Sequence, residues 1–172
     1  TRGTSRWQAS EGPEVIYRDG YYYLFLAYGS LSVEYNTRVC RSKNIDGPYV
    51  DIHGNSAMGS AQLYPILTAP YRFDNSYGWV GISHCGIFDD GAGNWFYTSQ
   101  GRFPVNVGGN EYSNAIMMGH VRSIRWDANG WPLVMPERYG AVPQAPITEN
   151  EIAGDWEHLA LTTSTGTQRT SE

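Results

Sequence analysis

Two side chains in this sequence stand where chemistry would need them, a carboxyl and an imidazole at matching places in a repeat. Glu11 opens the run Glu11-Gly12-Pro13 at the mouth of a hairpin pattern covering residues 14–29, and His84 stands at the mouth of a second hairpin about 70 residues further on. Carboxyl groups transfer protons, and imidazoles either do the same or bind metal ions. Paired placement in a repeat points to one shared centre rather than two unrelated surface residues. Glu14 is the competing carboxylate, but it belongs to the start of the strand and lacks the Gly-Pro sequel. His53, His120 and His158 have no comparable setting and read as structural or solvated.

The elements that must hold these two groups are strands; no stretch shows the 3.6-residue apolar period of an amphipathic helix. The first hairpin turns at Asp19-Gly20, a favoured two-residue turn, and residues 21–28 are apolar on both faces, as in a strand held between two layers. Residues 37–42 read as the next strand, and Asp46-Gly47-Pro48 turns into a short edge piece at 49–52. A loop-rich stretch follows over 53–77. The pattern then restarts, with strands at 81–88 and 94–100 joined by a turn at 89–93. After a polar, Gly-rich loop at 105–113 come a strand at 116–126, a turn at 127–130 and a strand at 131–134. Matching Ile16-Tyr17 with Ile87-Phe88 gives an offset of 71 residues and places Asp19-Gly20 on Asp90-Gly91 and Pro13 on His84. Two successive four-stranded units predict an all-β fold of β-propeller blades, whose first strands line a central channel. Glu11 and His84 would then both face the channel mouth.

Composition limits the partners. The net charge of −5 argues against a nucleic-acid partner, which needs a basic face. No run approaches the ~20 apolar residues of a membrane span. Thirteen Tyr, six Trp and twenty Gly suit β-structure with tight turns, and flat aromatic faces also suit sugars. Trp7, Tyr35, Trp79, Tyr112 and Trp126 are candidates for stacking on sugar rings. Asn36 and the Arg102 of Gln100-Gly101-Arg102 lie at strand ends, where an amide and a guanidinium would suit sugar hydroxyls or, equally, structural hydrogen bonds. Asp89, Asp90 and Asp127 are explained by turn chemistry. Cys40 and Cys85 read as buried free thiols rather than as a bridge.

At ~70 residues per unit the chain makes about two and a half blades, whereas propellers have about four to eight. The expectation is therefore part of a ring, completed by another chain or by the rest of a longer protein. Residues 1–150 are expected to form the propeller portion. Residues 151–172 are expected to be a disordered tail, since 162–172 are polar and unpatterned.

Several motifs together carry a family resemblance: Glu11-Gly12-Pro13, Tyr21-Tyr-Tyr-Leu-Phe-Leu26, Tyr35-Asn-Thr-Arg-Val-Cys-Arg-Ser-Lys43, Gly47-Pro-Tyr-Val-Asp51, Ser83-His-Cys-Gly-Ile-Phe88 and Gly130-Trp-Pro-Leu-Val-Met-Pro-Glu-Arg-Tyr139. In these the chain resembles glycoside hydrolase family 43, and within it the endo-1,5-α-L-arabinanases. The resemblance implies a five-bladed β-propeller, of which this chain is roughly the second half, and inverting hydrolysis of arabinan or arabino-oligosaccharides. It implies Glu11 as the general acid and His84 beside a central metal ion, usually calcium. It further implies that the general-base Asp and the Asp that tunes the acid come from earlier blades, in a complementary N-terminal fragment or chain. Through Gly154-Asp-Trp-Glu-His158 it implies that residues 151–172, rather than a disordered tail, are the start of a C-terminal β region. An arabinofuranosidase or xylosidase of the same family, or a carbohydrate-binding propeller without catalysis, are the alternatives. Inversion needs two carboxyls ~6.5–9.5 Å apart with a water between them, and an acid held protonated by burial or a neighbouring carboxylate. The chain by itself is therefore expected to be inactive. A plant-wall polymer as substrate implies an extracellular, periplasmic or cell-surface location.

Overall fold

Period-two alternation and a recurring aspartate turn build two stacked four-stranded sheets. The computed structural model describes residues 10–29, 34–59, 62–69, 72–73, 76–77, 79–102, 117–141, 148–156 and 168–169. The first sheet is antiparallel in the order β1 (Ser10–Arg18), β2 (Tyr21–Tyr28), β3 (Asn36–Ser42), β4 (Ile66–Thr68). Two short strands follow, β5 (Arg72–Phe73) and β6 (Ser76–Tyr77). The second sheet is a meander of β7 (Val80–Asp89), β8 (Trp95–Arg102), β9 (Met117–Trp126) and β10 (Pro132–Val134), again antiparallel. A single helical turn, α1 (Glu149–Ile152), and a two-residue strand, β11 (Gln168–Arg169), complete the described elements; β11 runs parallel to β5.

The predicted hairpins are present with nearly the predicted bounds. The edge piece expected at 49–52 is reduced to Val50, bridged to Arg41 and Ser56. The fourth strand of the first sheet comes instead from within the loop-rich stretch, where three residues between Pro65 and Pro70 are too few to show a period. α1 was also unforeseen; Thr148 donates its N–H to Glu151 at 2.8 Å and so closes the turn. The loop at 105–113, and residues 157–167 and 170–172 of the tail, lie outside the described residues.

Asp19 and Gly20 both have positive φ, 48° and 83°, as a primed two-residue turn requires. Three further turns share a longer device, Asp-x-x-Gly-x. In each, one aspartate oxygen accepts the backbone N–H groups two and four residues on: His53 and Asn55 on Asp51, Ala92 and Asn94 on Asp90, and Asn129 and Trp131 on Asp127, all at 2.8–3.0 Å. The glycine three residues on takes φ of 82°, 93° and 78° respectively, a region side chains other than Gly avoid. Asp51 is buried. Burial alone would raise its pKa, but hydrogen bonds from Asn55, Tyr64 and His53 outweigh it and hold the carboxyl below its ordinary value.

The core lies between the sheets. Tyr23, Phe25 and Val39 from the first meet Ile82, Cys85, Ile87, Tyr97 and Ile124 from the second, with Trp131 closing one end. The opposite face of β2 packs Leu26 and Tyr28 on Cys40, Ala57 and Leu63, so this strand is indeed held between two layers. Tyr23 donates its hydroxyl to the Gly130 carbonyl across the seam at 2.5 Å, and Arg41 lies over the rings of both Tyr21 and Trp131. Cys40 and Cys85 are buried free thiols, each pushed up to about 12, chiefly by burial.

The repeat is real, but its register differs by one residue from the sequence match. In β1, Glu11 and Glu14 oppose Ala27 and Phe25; in β7, Ser83 and Gly86 oppose Gln100 and Thr98. Each first strand thus carries a bulge, two residues facing one, and β7 carries a second between Val80 and Ser83. Superposing the bulges pairs Glu11 with Ser83, an offset of 72, and so places Gly12 on His84 and Ile16 on Phe88. Stacked sheets explain why: Ile16 and Ile87 pack on the core from opposite sides, so they cannot be equivalent, because a one-residue slip reverses every face. Unequal hairpin turns concealed the slip.

Candidate functional site

The two bulges stand side by side and form the site. Gly12 has φ +55° and His84 φ +56°, so each lies in the left-handed region at its bulge; Gly81 does the same, at φ +66°, in the other bulge of β7. Glycine does so without strain; a histidine costs roughly 1–2 kcal/mol. The kink also turns His84 outward. Its neighbours Ile82, Ser83 and Cys85 are buried, whereas its own side chain is 56% exposed, close to the 60% of Glu11.

Tyr35, immediately before β3, joins the two. Its hydroxyl donates to Glu11 Oε1 at 2.6 Å and lies 3.2 Å from His84 Nδ1, while Nδ1 and Oε1 are 4.0 Å apart. Burial first, then the hydrogen bond and charge of Glu11, push the Tyr35 hydroxyl well above the ordinary tyrosine range, so it keeps its proton. Gly12 lies under the imidazole: a Cβ there would come within 3.0 Å of Cδ2 and 3.1 Å of Nε2. Below this, Ser83 is bound into a buried hydroxyl network. Thr37 Oγ1 is 2.8 Å from Ser83 Oγ and 2.7 Å from Tyr97 Oη, Ser83 donates to the Asn36 carbonyl at 2.9 Å, and Thr68 donates to the Ile82 carbonyl at 2.6 Å. These bonds fasten β7 to β3 and β4 and fix the height of His84 above the first sheet.

Among the sequence candidates, Glu11 and His84 are therefore brought together. Glu14 is drawn away, its carboxylate accepting the Ile87 N–H of β7 at 3.4 Å. Tyr35, Asn36 and Arg102, expected as sugar contacts, are only 0%, 1% and 2% exposed. Tyr35 turns its hydroxyl to Glu11 and His84 instead. Asn36 uses its whole amide inside the fold, donating to the Tyr28 and Glu34 carbonyls and accepting from Arg38 Nε at 3.0 Å. Arg102 ends β8 under cover, and burial lowers its pKa. Trp79 packs edge-on against His120, and Trp126 against Tyr23 and Trp95. Trp7, Tyr112 and His158 lie outside the described residues. The structural members that sequence reasoning missed are Gly12, Thr37 and Ser83; Gly12 lies ahead of the hairpin pattern at 14–29, and only the pairing of β1 with β2 shows the bulge there.

Tyr35 has one hydroxyl proton, and the short bond to Glu11 takes it. The Tyr35 oxygen lies 3.2 Å from His84 Nδ1, and an imidazole nitrogen without a proton carries a lone pair that can ligate an ion. No group of three or more His, Cys, Asp or Glu side chains converges on a metal position among the described residues. Among the described residues His84 therefore offers a single imidazole nitrogen and no companion ligand set.

Two sheets stacked face to face, each with a bulged first strand at one end, define successive blades of a β-propeller, with the acid and the imidazole at the same end. The sequence pattern described as Glycosyl hydrolases family 43 matches residues 1–132, and the chain belongs to that family. It is 30% identical over 168 residues to the extracellular endo-alpha-(1->5)-L-arabinanase 2 of Bacillus subtilis, covering 85% of this chain and 34% of that protein. It is 31% identical over 168 residues to the extracellular endo-alpha-(1->5)-L-arabinanase of Thermotoga petrophila, covering 87% and 34%. The crystal structure of an endo-1,5-alpha-L-arabinanase from Thermotoga petrophila superposes with a TM-score of 0.72 at 29% identity, over 84% of this chain and 35% of that one. The chain thus spans about a third of the length of the curated relatives it matches. The fold is part of a propeller. No described helix is long and apolar enough to cross a membrane.

Proposed function

We propose that this protein is a glycosidase that cleaves α-1,5-linked L-arabinan with inversion, and that Glu11 protonates the departing glycosidic oxygen. The observation that carries this reading is the exposed Glu11 carboxyl at the end of two stacked blades, 4.0 Å from His84 and held by Tyr35. An acid that must reach a polymer has to be exposed yet fixed, and a bulge supported from beneath supplies both. The two endo-arabinanases match at 30% and 31% identity, whereas a β-xylosidase that covers as much of the chain is 26% identical and an exo-acting arabinofuranosidase 28%, which favours endo-acting hydrolysis of arabinan.

The general base and the acid-tuning carboxylate would come from blades outside this chain. A complementary N-terminal portion is thus a required partner, and residues 1–172 alone are inactive. His84 would hold a calcium ion through Nε2 at the floor of the cleft, as one nitrogen in a shell otherwise of oxygen. When bound, the ion supplies positive charge that orders water and carboxylates around the scissile bond. Action on a wall polymer places the protein outside the cell.

The test is Glu11→Gln in the full-length protein, assayed on arabinan and on an arabino-oligosaccharide carrying a dinitrophenyl leaving group. Losing a general acid lowers arabinan turnover by about 10²–10⁴-fold and spares the activated substrate, which departs without a proton. Equal losses on both substrates, or none, would overturn the assignment.

A further inference from the structure

The link between Glu11 and His84 gives Tyr35 a role that neither its sequence setting nor its burial announces. Its ring is enclosed at the start of β3, so it has no face for a sugar, yet its hydroxyl reaches the one place where both exposed groups meet. We propose that Tyr35 is a positioning residue: by donating to Glu11 and accepting from His84 it locks the imidazole in its Nδ1–H tautomer, aims Nε2 away from the acid, and holds the carboxyl in place. This rests on the reading of Glu11 and His84 given above.

Three observations support it independently. The 2.6 Å O–H···O distance to Glu11 is that of a short, well-formed hydrogen bond, and a hydroxyl with a single proton cannot donate to His84 as well. Nδ1 lies 3.2 Å from the Tyr35 oxygen, so the bond there forms only with the proton on Nδ1. The ring is also held from two other sides, by the left-handed backbone of His84 and by the Cα of Gly12 beneath it. With the backbone and one ring face fixed, the Nδ1 contact sets which nitrogen faces the cleft. Phenylalanine fills the same volume, so loss of the hydroxyl can be separated from loss of packing.

The experiment is two-bond 1H–15N correlation spectroscopy of the full-length protein with ring-15N histidine, chelator-treated so that no ion sets the tautomer, at about pH 8.5, well above the ordinary histidine range. His84→Asn assigns the signal. In the wild type, His84 is expected as the Nδ1–H tautomer, and in Tyr35→Phe as a mixture of tautomers. An Nε2–H tautomer in the wild type, or the same tautomer in both proteins, overturns the proposal, and the wild-type measurement needs no variant to fold. In the assay, Tyr35→Phe should lower kcat about tenfold or more with KM within about twofold, as for a group that acts through the acid; an unchanged kcat overturns the positioning of Glu11. If Glu11→Gln proves fully active, the hydrolytic reading falls while the tautomer result stands.

Discussion

Gly12 and His84, 72 residues apart in the chain, occupy the same left-handed position in two successive blades and lie in contact. A Cβ on Gly12 would stand 3.0 Å from Cδ2 of the imidazole and would sit on backbone with φ +55°. Gly12→Ala therefore meets both a conformational cost and a clash. We expect destabilisation of about 1–2 kcal/mol, seen as a lower denaturation midpoint at unchanged m-value, together with a displaced His84. A midpoint equal to wild type would show that the strand relaxes and that the contact is not tight.

His84 carries the cost that Gly12 avoids. His84→Gly should leave stability equal or raise it by up to about 1 kcal/mol, through relief of the left-handed backbone, while arabinan hydrolysis by the full-length protein falls. A variant that is both less stable and fully active would place His84 among the structural residues.

The hydroxyl network beneath the site gives a third test. Thr37→Val keeps the shape of the side chain and removes the oxygen shared by Ser83 and Tyr97. Each of those buried hydroxyls then loses a partner, at about 1–3 kcal/mol in all. Calorimetry should show a lower Tm for Thr37→Val, and Thr37→Ser should restore most of it. Equal Tm values for the two variants would exclude the hydrogen bonds as the cause.

His120 predicts a pH dependence. Burial first, then the charges of Arg122 and Arg138, lower its pKa to about 4, and Trp79 covers the ring edge-on at 4.3 Å. The folded value lies below the unfolded one of about 6.5, so the neutral ring is the one the fold accepts. Its contribution is complete above about pH 6.5 and is lost progressively as pH falls towards 4. Chemical denaturation between pH 7 and 4 should show this decline in the wild type and a shallower one in His120→Gln. Parallel profiles would assign the acid sensitivity to the carboxylates.

Much of this molecule follows from local rules that operate along the chain. The apolar run Tyr21–Tyr28 required a strand between two layers, the Asp-Gly turn and the Asp-x-x-Gly-x loops set the hairpins, and the repeat with its family motifs singled out Glu11 and His84. These features survive in a one-dimensional reading because turns and alternation depend on neighbours a few residues away. The register of the repeat did not survive it. The two hairpins turn with loops of different length, and only strand pairing showed that Gly12, not Pro13, corresponds to His84. Tyr35 and Asn36 were adjacent polar-tipped residues with equal claims to a sugar. Packing of β3 against β7 sent one hydroxyl to the acid and buried the other side chain's amide among main-chain carbonyls. Side-chain direction at a bulge depends on which strand lies opposite, and that partner is supplied by the tertiary fold alone.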